Sequence, residues 1–148
     1  MAVNPEVEGR TYPAIPTYVV SRVKVAEFAK AVGATDPVHS DVEHARSLGY
    51  ADVVAPPTFA VIPAQQAEAA AIVDPEAGID FSRLVHGEES FTHHRPLVAG
   101  DEITAATTID RVRAAGGHSM VTMKTAITTV AGEPVCDVNC VVVIRGEQ

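Results

Sequence analysis

Apolar residues recur at helical spacing in the first half of the chain and at alternate positions in the second. Val25, Phe28, Ala29 and Val32 fall on one face of a helix over residues 22–32, Ser21 offers a cap before them, and Gly33 can end it. A shorter helix is expected over residues 42–48, behind Ser40 or Asp41 and closed by Gly49 and Tyr50. Ala55-Pro56-Pro57-Thr58 is a break. From residue 58 to about 73 the chain is rich in Ala, Gln and Glu, which predicts a long, largely buried helix. Pro63 should kink that helix or delay its regular start, and Asp74, Pro75 and Gly78 end it.

Beyond it the period changes to two. Residues 84–94, 102–112, 120–130 and 135–145 read as strands. Val121, Met123, Thr125, Ile127 and Thr129 share one face of the third, and Cys136, Val138, Cys140, Val142 and Ile144 one face of the fourth. Ala99-Gly100-Asp101, Ala115-Gly116-Gly117 and Ala131-Gly132-Glu133 signal the turns. Upstream, residues 12–20 look like an extended edge segment whose two prolines limit its ladder bonds, and residues 1–10 like a loose leader. A sheet with one buried face needs a cover. The economical solution wraps the antiparallel sheet around the one long central helix, an α+β hot-dog fold occupying residues 1–148 as a single domain.

Composition narrows the function. The chain has 148 residues, enough for one compact domain with a real core, and 47% are hydrophobic. A net charge of −8 argues against nucleic acid or an anionic membrane as partner, since both require a basic footprint. No apolar run approaches the roughly 18 residues of a membrane helix. The first ten residues include Asn4, Glu6, Glu8 and Arg10 and show no apolar stretch of a signal peptide, so a cytoplasmic location is expected. Cys136 and Cys140, four apart on a strand, would lie roughly 13 Å apart, too far for a disulfide. They read as small core thiols.

Gly33-Ala34-Thr35-Asp36-Pro37-Val38-His39 is the most informative stretch. It resembles the Gly-Asp-x-Asn-Pro-(Leu/Ile/Val)-His signature of the MaoC-like (R)-specific hydratase/dehydratase family. In that family the Asp and the His form the acid/base pair acting on a 3-hydroxyacyl or enoyl thioester. The chain keeps the His as His39 and has Ala34 at the position of the Asp. The run Phe91-(x)3-Arg95-Pro96-Leu97-Val98-Ala99-Gly100-Asp101 resembles a second family motif, a strand and turn. Val54-Ala55-Pro56-Pro57-Thr58-Phe59, Val85-His86-Gly87-Glu88 and Gly132-Glu133-Pro134-Val135-Cys136 are similar to the actinobacterial N-terminal MaoC-like dehydratase group. That group includes non-catalytic partner subunits of (3R)-hydroxyacyl-ACP dehydratases. Catalytic members carry His-Gly at the start of the long helix, where the glycine N–H binds the thioester oxygen. Pro56-Pro57 stands there in this chain, and proline has no N–H.

The resemblance implies a subunit that holds an acyl chain on acyl carrier protein or coenzyme A. It implies pairing with a second hot-dog subunit, as hetero- or homodimer, that supplies the Asp/His pair. It implies no metal or redox cofactor. The alternatives are a self-sufficient homodimeric hydratase working with Asp36 and His39, and an acyl-thioester binding protein without turnover. Asp36 either stands in for the missing acid or caps the turn before Pro37. His39 is either the general base or a residue that braces the Asp36 loop. Pro57, Thr58 and Ala64 are the expected substrate-binding positions. The small side chains of residues 64–71 either permit close packing or leave room for an acyl tail. His93 and His94, adjacent on a strand, point to opposite faces and do not form a metal pair. His86 and His118 read as loop or strand-end residues without a role, and His44 as a surface residue.

Overall fold

The structure, a computed structural model, describes residues 2–146. Its first helix, α1, spans Arg22–Val32. The Ser21 hydroxyl accepts from the Lys24 N–H at its start, and Gly33 closes it at φ +73°, a conformation that favours glycine. Helix α2, Val42–Ser47, is capped by Asp41. A 3₁₀ turn, Pro57–Ala60, leads into the central helix α3, Val61–Ile72. Pro63 sits in the first turn of α3, where its absent N–H would have had no partner within the helix, so it delays the regular start without a break.

Five antiparallel strands form one sheet in the order β1-β3-β4-β5-β2, with β1 Tyr18–Val19, β2 Leu84–His93, β3 Glu102–Ala115, β4 His118–Thr129 and β5 Pro134–Ile144. The sheet curls over α3, which packs against β3 and β4. This is the hot-dog arrangement that the change of period predicts. Val121, Met123, Thr125 and Ile127 of β4 and Cys136, Val138, Cys140, Val142 and Ile144 of β5 are all buried on the concave face. Strand β3 runs three residues past its expected end because its pairing continues through a bulge between Ile109 and Arg111.

One core cluster centres on Phe59, whose ring meets those of Phe28 at 5.4 Å and Tyr18 at 6.5 Å edge to face. The other gathers Ile109, Val121, Met123 and Val142 with Val3, Val7 and Tyr12. The N-terminal stretch is therefore not a loose leader. Val3 and Val7 are buried, the Gly9 N–H donates to the Ile109 carbonyl, and the Glu8 carboxylate accepts from the Val112 N–H. Its two valines, four apart, plug the open end of the sheet. Met1 lies outside the described residues. Both cysteines are free and buried. No helix among the described residues is long and apolar enough to cross a membrane.

Candidate functional site

A cleft of about 440 Å³ opens between the α1–α2 connection, the double proline and the end of β2. Asp36, Val38, His39, Val54, Ala55, Pro57, His93 and Pro96 line it. The Asp36 carboxylate caps the turn Pro37–His39 by accepting from the Val38 N–H at 2.9 Å. That turn presents the His39 ring to the cleft. His39 Nδ1 lies 2.6 Å from the Val54 carbonyl oxygen. A carbonyl can only accept, so Nδ1 carries a proton and Nε2 is the ring nitrogen left for other partners. Among the described residues no carboxylate lies within ion-pair distance of this ring. Position 34 is a half-buried alanine.

The carbonyl that holds His39 is itself fixed from the far side. Val54 bridges Val98, the Ala55 N–H donates to Leu97, and the Ala99 N–H donates to Val53. Leu97–Ala99 is in turn clamped by Asp101, which accepts from the Val98 N–H and binds the Arg95 guanidinium through both carboxylate oxygens at 2.9 and 3.1 Å. Arg95 also reaches Glu133. The Arg95–Asp101 motif thus works as a buttress for the cleft wall. Replacing Asp101 by Ala frees the Val98 N–H and the half-buried Arg95; it should cost about 2 kcal/mol in urea unfolding. It should also loosen His39, seen as a shift of its ring resonances.

The other expected positions separate. Pro57 lies at the cleft mouth, where its carbonyl accepts from His93 Nε2 at 2.7 Å. The next N–H along the chain is that of the exposed Thr58. Ala64 is fully buried in the packed core and lines no described cavity. His94 pairs with Asp137 on the exposed rim. Hence Asp36, His39 and Pro57 share the cleft, while Ala64 lies apart from it.

A second group was passed over in the sequence. Glu68, in the middle of α3, is only 2% exposed, and its Oε1 accepts no hydrogen bond from a described residue. Burial, and then repulsion from Glu89, push its carboxyl up to about 7. Burial also raises Cys136 to about 11, and raises Cys140 further with added repulsion from Glu68 and Glu89. The available signal was an acidic residue on the apolar stripe Ala64, Ala67, Ala71, where a carboxylate has no reason to sit for solubility.

Comparison with known proteins places these features. Residues 7–138 match the family model described as FAS1-like, dehydratase domain region. A UPF0336 protein of Clavibacter michiganensis subsp. michiganensis is 50% identical over 147 residues, covering 99% of both chains. A solved MaoC-like dehydratase superposes with a TM-score of 0.86 at 34% identity, over 94% of this chain; this chain spans 42% of that longer one. The C-terminally truncated HadBC (3R-hydroxyacyl-ACP dehydratase) complex of Mycobacterium tuberculosis gives a TM-score of 0.82 at 29% identity, over 93% of this chain and 96% of that one.

Proposed function

The chain belongs to the FAS1-like dehydratase-region family, in its MaoC-like, UPF0336 branch, and from that premise we propose that it is the acyl-binding, non-catalytic subunit of a (3R)-hydroxyacyl-thioester dehydratase. Its substrate would be a 3-hydroxyacyl group on acyl carrier protein or coenzyme A. The partner is a second hot-dog subunit with an intact Asp/His pair. The partner's His takes the C2 proton and its Asp protonates the departing hydroxyl, giving the trans-2-enoyl thioester and water.

The observation that carries this reading is the incomplete cleft. His39 is held through Nδ1, but among the described residues no carboxylate reaches the ring, and Pro57 offers no N–H where negative charge would develop on the thioester oxygen. A second feature supports a partner. Among the described residues strand β2, ten residues long, is paired with β5 alone and ends the sheet, so one side of its ladder is open. Val73, Phe81 and Val85 are exposed near that edge. A β2 strand of another hot-dog subunit would satisfy both.

The test is hydration of crotonyl-CoA by the chain alone and after co-expression with a hot-dog subunit carrying Gly-Asp-x-Asn-Pro-x-His. Co-purification with turnover in the pair only is the expected result. Turnover by this chain alone, abolished in His39→Ala, would instead establish a self-sufficient enzyme. Acyl-thioester binding with no turnover in any pairing would establish a binding protein.

A further inference from the structure

Away from the cleft, the concave faces of β2 and β5 gather groups that the dehydratase reading does not use. His86 pairs with Val142 and Glu88 with Val141, so Gly87 is an extra residue in the strand. The bulge shifts the alternation by one, and His86 and Glu89 both turn toward α3. Glu89 lies opposite Cys140 on β5. His86 Nδ1 is 3.6 Å from Glu89 Oε2 and 3.9 Å from Cys140 Sγ, and the donor atoms of all three lie within 4.8 Å of one another.

These separations have a chemical reading. Tetrahedral zinc, with bonds of about 2.0 Å to nitrogen or oxygen and 2.3 Å to sulfur, sets its ligands roughly 3.3–3.8 Å apart. Small side-chain rotations bring the three atoms to that spacing. Glu68 of α3 lines the same cavity as His86, and burial first, then its repulsion from Glu89, raises its carboxyl. Glu68 Oε1 and Glu89 Oε1 are both buried and neither has a hydrogen-bond partner among the described residues. Neither carboxylate pairs with a described Lys or Arg. Two buried carboxylate oxygens without a partner are costly, and a metal ion would satisfy both. Glu68 and His86 also line a largely apolar cavity of about 770 Å³, which supplies an entry path. The mix of imidazole, thiol and carboxylate suits a borderline-soft ion rather than magnesium or calcium.

We propose that His86, Glu89 and Cys140, with Glu68 as fourth donor, bind a divalent transition-metal ion of the zinc class. Binding would release the Cys140 proton to solvent, because the thiolate is the ligand. The site stands or falls apart from the dehydratase reading, since metal binding is read without turnover.

The test uses the full chain, stripped with EDTA and loaded with Co²⁺ as spectroscopic probe. The expected result is one Co²⁺ per chain with a thiolate-to-cobalt charge-transfer band, displaced by Zn²⁺. Cys140→Ser should lose that band. His86→Ala alters an exposed side chain and is expected to keep the wild-type circular dichroism. It should weaken Zn²⁺ at least as much as the roughly tenfold typical of losing an outer-shell partner, and Glu68→Gln should weaken it as well. Absence of a thiolate band in the wild type would overturn the proposal. So would His86→Ala and Cys140→Ser both binding Zn²⁺ as tightly as wild type, which would place the metal on other surface histidines.

Discussion

Glu68→Gln should make the metal-free chain more stable at pH 8 by about 3 kcal/mol while leaving it nearly unchanged at pH 4. The carboxyl is raised from 4.5 to about 7 by burial first and by Glu89 second. Between those values the folded chain holds a proton that the unfolded chain has released. Stability therefore falls as pH rises through this window, at up to about 1.4 kcal/mol per pH unit, and is lowest above pH 7. The introduced amide carries no charge and can donate to Glu89, so the variant's curve loses this descending limb. For a chain of this size 3 kcal/mol corresponds to roughly 6–12 °C in Tm. Thermal melts in EDTA at pH 4 to 8 measure it. Parallel curves for wild type and variant would show that Glu68 is not held in this state.

The same residue shows why some of the molecule can be read from its sequence and some cannot. Helices α1 and α2 carry their own start and stop residues, Ser21, Asp41 and Gly33, and the strands carry their faces as alternate positions. Those are local signals, and the hot-dog architecture follows from them once the sheet needs a cover. The N-terminal stretch misled because a mostly polar segment hides two valines whose burial depends on the apolar cluster they join with residues of β3, β4 and β5. In the cleft, Asp36 and His39 are close in sequence and so are easily joined, and a wall built from Arg95 and Asp101 backs the Val54 carbonyl that holds His39. The cluster at His86 needs three segments to meet and one bulge, at Gly87, to turn His86 inward. An unbroken alternation would have placed His86 and Glu89 on opposite faces. Only the pairing register reveals that they share one.

The chain by itself should hydrate crotonyl-CoA more slowly than a complete hot-dog pair by at least about 10⁴-fold, and His39→Ala should not change that residual rate. A positioned general acid or base contributes about 10²–10⁴-fold, and one preorganised oxyanion donor about 10²–10³-fold. Ala34 removes the carboxyl from its motif position and Pro57 removes the N–H. Losing both multiplies to roughly 10⁴–10⁷, which leaves the rate near that of buffer. The His39 ring is held through Nδ1, yet hydration needs two groups, a carboxylate that takes a proton from the water adding at C3 and an imidazole that gives one to C2, and one ring alone does not do both. In the reconstituted pair, His39→Ala in this subunit should lower kcat by less than about tenfold, as expected of a residue that braces the cleft loop rather than transferring a proton. Alanine at the partner's His should cost 10²-fold or more. Equal losses at both histidines would mean that the two subunits share the chemistry, with Asp36 as the second acid.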